Sequence, residues 1–140
     1  MRSLLLAMAL LVPAVAAADI GQIKTLEGDV RIERDGQILN ASAGDRLETA
    51  DTVITGTNGQ VGITFVDNTR LSLGPESRMD LDRFQFDATT HKGEFYSKMH
   101  KGTLSIISGY IAKSGPDAMK VQTPTSVLSV RGTRFLVKVD

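Results

Sequence analysis

The chain has 140 residues, 16 basic and 16 acidic side chains, and no cysteine or tryptophan. Disulfide stapling and cysteine chemistry are excluded outright. A nucleic-acid partner needs a concentrated basic face, whereas these basic residues are scattered from Lys24 to Lys138.

The first segment reads as an export signal. Arg2 precedes the apolar run LLLAMALLV (Leu4 to Val12), then Pro13 and the small-residue tract AVAAA ending at Ala18. About nine apolar residues fall well short of the roughly 20 a membrane-spanning helix needs. Residues 1–18 are therefore expected to be a cleaved signal peptide, leaving a soluble periplasmic chain from Asp19 with no later membrane span. No cysteine follows the cleavage site to carry a lipid.

About 120 residues remain, enough for one domain around one core. Their apolar pattern has period two. Val30 and Ile32 alternate in GDVRIER, Val61, Ile63 and Phe65 in GQVGITF, and Leu71 and Leu73 in RLSLG. Met79 and Leu81 continue in RMDLD, and after a one-residue slip Phe84 and Phe86 resume. Leu104 and Ile106, Met119 and Val121, then Phe135, Val137 and Val139 complete the series. Alternation over short runs bounded by Asp35-Gly36, Asn58-Gly59, Gly74-Pro75, Lys92-Gly93 and Gly115-Pro116 predicts half-buried strands between turns. The fold class is all-β, a single compact domain of short strands. Glycines 28, 59, 102 and 132 open strands at loosely recurring intervals. That recurrence favours a β-helix or solenoid-like coil, with a jelly-roll-like sandwich as the alternative.

Near the end, QTPTSVLSVRGTRFLVKV interrupts an apolar stretch with Arg131 and Gly132. Thr123 before Pro124 is biased to extended backbone, and Pro124 cannot donate to a ladder, so the pair belongs at the start or edge of a strand. Gly132 supplies a bulge or corner leading into Phe135. Arg131 is expected to project from that bend onto loop carbonyls or a carboxylate such as Asp51. The competing reading makes Arg131 and Arg134 an anion site.

Catalysis finds little support. No G-x-S-x-G elbow is present. His91 and His100 lack further ligands at a recognised metal spacing. Asp80, Asp82 and Asp87 lack the loop glycine and terminal glutamate of a calcium hand, and read as the solvent face of a strand. No enzyme activity, cofactor or metal is expected.

Taken in order, GDVRI (from Gly28), AGDRL (from Ala43), the run DTVITGTNGQVGITFVDNTRLSL (Asp51 to Leu73), KGTL (from Lys101) and VQTPTSVLSVRGTRF (Val121 to Phe135) resemble the FecR-like periplasmic domain family. Thr123, Pro124, Arg131, Gly132, Thr133 and Phe135 match its most specific signature. The resemblance spans residues 19–140. It implies a β domain that, in full-length regulators, relays outer-membrane transporter occupancy toward a cytoplasmic sigma factor. This chain resembles a stand-alone member with an export signal in place of the cytoplasmic anti-sigma segment.

The expected role is a non-catalytic periplasmic sensing module that contacts an envelope or inner-membrane protein. Cell-wall or polysaccharide binding, and an accessory role in a surface or secretion assembly, are the alternatives. The segment from Asp87 to Lys101 is the longest without sustained alternation. It is expected to be a recognition loop, with Lys92, Phe95, Tyr96, Lys98 and Met99 forming the partner surface.

Overall fold

The computed structural model describes residues 19–140, so the expected signal peptide lies outside the described residues. The chain forms strands β1 (Asp19–Glu27), β2 (Val30–Arg34), β3 (Gln37–Asn40), β4 (Arg46–Glu48), β5 (Thr52–Thr55), β6 (Gln60–Phe65) and β7 (Arg70–Leu73). Of these, β2, β6 and β7 are the alternating runs, and β1, β3, β4 and β5 lie outside them. A long hairpin of β8 (Arg78–Phe86) and β9 (Gly93–Ile107) follows, then the single helical turn α1 (Tyr110–Ser114). The series ends with β10 (Met119–Gln122), β11 (Val127–Ser129) and β12 (Arg134–Val139). In β6 the pleat sends Val61, Ile63 and Phe65 inward and leaves Gln60 exposed, as period two requires. The one-residue slip between Leu81 and Phe84 is a β-bulge, where the β8–β9 register shifts between Asp80 and Arg83.

β9 is the spine of the molecule. Its first half pairs antiparallel with β8 and parallel with β10; its second half pairs antiparallel with both β7 and β12. The halves meet at Gly102, whose φ of 101° lies in the left-handed region that glycine alone enters at little cost. A Cβ there would stand 2.5 Å from Ser77 Cα. This bend curls one sheet, ordered β3-β2-β5-β8-β9-β7-β6-β1-β4, into a half-barrel, with β10, β11 and β12 attached beside β9.

The curl brings the inner faces together around Phe65, Phe84 and Phe95, whose ring centroids lie 4.7–5.6 Å apart. Ile23, Leu47, Met79, Met99 and Leu104 fill the rest of a continuous core. Each large apolar side chain buried this way contributes about 1.5–3 kcal/mol.

The all-β, single-domain expectation holds. The chain also winds repeatedly between the two halves of the curl. Its ladders, however, are antiparallel except for β9–β10, so the stacked parallel coils of a β-solenoid are not how it closes. Short connections explain this. A two-residue turn such as Asp35-Gly36 returns the chain beside itself, which only antiparallel neighbours allow. Residues before Asp51 belong to the same sheet, since β1 pairs with β6 and β2 with β5. No helix among the described residues is long and apolar enough to cross a membrane.

Candidate interaction surface

Strand alternation divides the expected partner segment in two. Phe95 and Met99 are 2% and 1% exposed and point into the core. They are therefore withdrawn from the partner surface. The recognition loop is shorter than its composition suggested, because β9 begins at Gly93 and everything after it obeys the pleat. Tyr96, Lys98 and His100 take the outward positions, with Tyr96 half-buried and the other two exposed. Lys92 stays exposed in the preceding turn, where its carbonyl accepts Asp87 N–H at 2.9 Å.

Around these residues the outer face is an ordered polar lattice. Tyr96 lies opposite Arg83 on β8 and Lys120 on β10, and Lys120 Nζ sits 5.8 Å from the Tyr96 ring centroid. Lys98 Nζ is 3.8 Å from Asp82, and Arg83 Nε is 3.4 Å from Glu94. Asp80 pairs with His100 at 2.8 Å and accepts Thr52 Oγ1–H at 2.8 Å. Burial pushes the Asp80 carboxyl up, but the His100 and Thr52 hydrogen bonds and the charges of His100 and Arg78 outweigh it. The net effect holds Asp80 below the usual carboxylate range. Exposed pairs of this kind contribute little stability. They set Arg83, Lys98 and His100 against acidic neighbours around Tyr96 on the outer face of β9.

A second feature escaped sequence reading. His91 stacks on Tyr110 at 4.2 Å between centroids, with Phe86 alongside at 6.1–6.2 Å. Phe86 and His91 flank the β8–β9 turn five residues apart, and the distant Tyr110 joins them only because α1 packs beside that turn. Tyr110 is held there by its backbone N–H, which donates to the Asp67 carbonyl. Asp67 is itself fully buried, and its carboxylate accepts Thr69 N–H, Thr69 Oγ1–H and Ile111 N–H at 2.7–3.1 Å.

The signature residues form a turn and a corner. Thr123 N–H donates to the Ser126 carbonyl, and Ser126 N–H donates back to Thr123 Oγ1 at 3.0 Å, closing the β10–β11 hairpin. Pro124 sits at its exposed tip, where no donor is needed. Gly132 has φ 87° at the corner before β12, and the Thr133 carbonyl accepts Ser108 N–H at 2.9 Å. Phe135 packs against the core from β12. Arg131 departs from expectation. It is exposed, and Asp51 is held instead by Arg34, whose Nη2 lies 2.7 Å from it. Arg134 is likewise exposed. Among the described residues no group of three or more His, Cys, Asp or Glu side chains is placed to hold a metal ion.

Residues 51–140 match the family model described as FecR protein, and the chain belongs to that family. Among solved structures, one described as a "Cell surface anchoring domain" is similar to 44% of this chain and 83% of its own, at 36% identity and a TM-score of 0.43. No curated protein matches the chain.

Proposed function

We propose that this protein is a non-catalytic sensing and interaction module of the bacterial envelope, exported to the periplasm and acting through contacts with an envelope or inner-membrane protein. The observation that carries the reading is Tyr96 on the outer face of β9, half-buried and framed by Lys98, Lys120 and Arg83. A pre-oriented aromatic side chain among cations has the composition of a binding hot spot, and loses little conformational entropy on association. Lys98 and Arg83 are already paired with Asp82 and Glu94. Lys120 beside the ring and the exposed Lys92 in the preceding turn are therefore the cations that favour an acidic partner and hasten its approach. FecR family membership supports the same placement in the envelope.

A photo-crosslinking amino acid at position 96 tests this in intact cells. The expected product joins the protein to one membrane protein, and the same probe at Thr64, on the opposite half of the curled sheet, gives none. Equal crosslinking from both positions would contradict the assignment.

The Phe86–His91–Tyr110 stack favours a second reading, glycan binding, because aromatic faces supply stacking area for sugar rings. Sedimentation with purified murein separates the two. Binding lost on Tyr110→Ala and kept on Tyr96→Ala would establish the glycan reading.

A further inference from the structure

β12 is an open edge. It pairs with β9 on one side and with no other strand among the described residues. Leu136, at its middle, is 74% exposed, the highest value among the exposed large apolar residues. Such an edge is a template for another strand unless something blunts it.

The hydrogen-bond phase of this edge follows from one contact. Thr133 stands opposite Ser108, and its carbonyl accepts Ser108 N–H. Antiparallel pairs alternate, so Phe135, Val137 and Val139 direct their backbone groups to β9. Arg134, Leu136 and Lys138 direct theirs outward. A strand added here must answer those outward groups.

We infer that the occupant is β12 of a second copy, paired antiparallel about a two-fold axis. Such pairing must set outward-directed residues against outward-directed residues, which leaves three long registers. With Leu136 facing itself, Arg134 meets the partner's Lys138, and like charges directly opposed are unfavourable. With Lys138 facing itself, two ammonium groups meet at the axis. With Val137 on the axis, Arg134 meets the partner's Asp140 and Leu136 lies along the aliphatic stem of the partner's Lys138. On the inner face the same register sets Phe135 against the partner's Val139, a favourable aromatic–β-branched pair.

Only the third register satisfies backbone, charge and inner face together, and two-fold symmetry repeats each contact. The Asp140 side chain is 97% exposed and only loosely placed against its own Lys138, at 4.0 Å, so it is free to make this contact. The interface joins two curled sheets into one across the dimer.

Sedimentation of the purified mature chain over a concentration series, with charge-swap variants, tests the inference. Arg134→Glu and Asp140→Arg should each abolish the dimer, and the double variant should restore it. Since the chain has no cysteine, single cysteines report register directly. Val137→Cys should oxidise to a covalent dimer faster than Leu136→Cys or Lys138→Cys. A chain that stays monomeric throughout the series overturns the inference. So does a dimer indifferent to both charge reversals, or one crosslinked best through Leu136→Cys. Crosslinking of a probe at Leu136 to a different protein, with no dimer, assigns the edge to that partner instead.

Discussion

Arg34 holds Asp51 with two parallel hydrogen bonds, Nε to Oδ1 at 2.9 Å and Nη2 to Oδ2 at 2.7 Å. Asp51 is 1% exposed and also accepts Glu48 N–H at 2.9 Å. Arg34 Nη2 donates onward to the Arg46 carbonyl at 3.1 Å. The Asp51 hydrogen bond outweighs burial and keeps this guanidinium more firmly protonated than usual. One bidentate pair thus ties the end of β2 to β4 and to the approach to β5, across the two halves of the curl.

Removing one partner of a buried pair leaves the other charge without compensation. Arg34→Met should therefore destabilise the domain by about 3 kcal/mol, toward the low end for buried pairs because the arginine side remains partly open to water. Arg131→Ala, by contrast, should leave stability unchanged. Urea unfolding of the two variants checks both outcomes. A large loss for Arg131→Ala would restore the corner arginine to a structural role.

Two glycines with left-handed backbone separate conformational strain from collision. At Gly132 a Cβ would meet nothing within 4 Å, so Gly132→Ala should cost only the backbone term, about 1 kcal/mol. At Gly102 the same φ problem is joined by a clash with Ser77, where β9 bends. Gly102→Ala should cost more than about 2 kcal/mol and broaden the unfolding transition. Equal losses at the two sites would show that the bend tolerates relaxation.

Asp80 predicts a pH dependence. Its folded carboxyl is held below its unfolded value. The stability it contributes is therefore present above about pH 4, where the unfolded group is ionised, and disappears as pH falls through the lower folded value. Asp80→Asn should be less stable than wild type at pH 6, and the gap should shrink toward about pH 3. Urea midpoints at the two pH values decide it; a gap independent of pH would mean that charge on Asp80 is irrelevant.

Much of this architecture was legible in the sequence. Period-two runs located β2, β6, β7, β8, β10, β12 and the second half of β9 but left β1, β3, β4 and β5 unassigned. The slip at Leu81–Phe84 foretold the bulge in β8, and Gly132 foretold the corner before β12. What stayed hidden depends on pairing at long range. Parallel coils and antiparallel ladders leave the same alternation along each strand, so the solenoid expectation had no local signal against it. Phe95 and Met99 looked like loop residues because β9 mixes Ser97 and charged neighbours into its alternation. Their burial follows from β8 and β10 flanking them. The Asp51 carboxylate likewise advertised a need for a cation without naming Arg34 over Arg131. Phe86 and His91 flank one turn, but nothing local showed that Tyr110 would stack on them.

The outer face of β9 is the central claim, and inward and outward neighbours on that strand make it testable. Phe95→Ala should cost about 3–5 kcal/mol as a core truncation. The variant combining Lys92→Ala, Tyr96→Ala and Lys98→Ala should keep nearly the wild-type melting temperature. The decisive measurement compares residues 19–140 of wild type and of this triple variant for capture of an envelope or inner-membrane protein from extracts, with melting temperature followed in parallel. Capture lost with melting unchanged is the predicted result. Capture at wild-type levels by a variant that melts like wild type would contradict it and remove the partner surface from this face of the sheet.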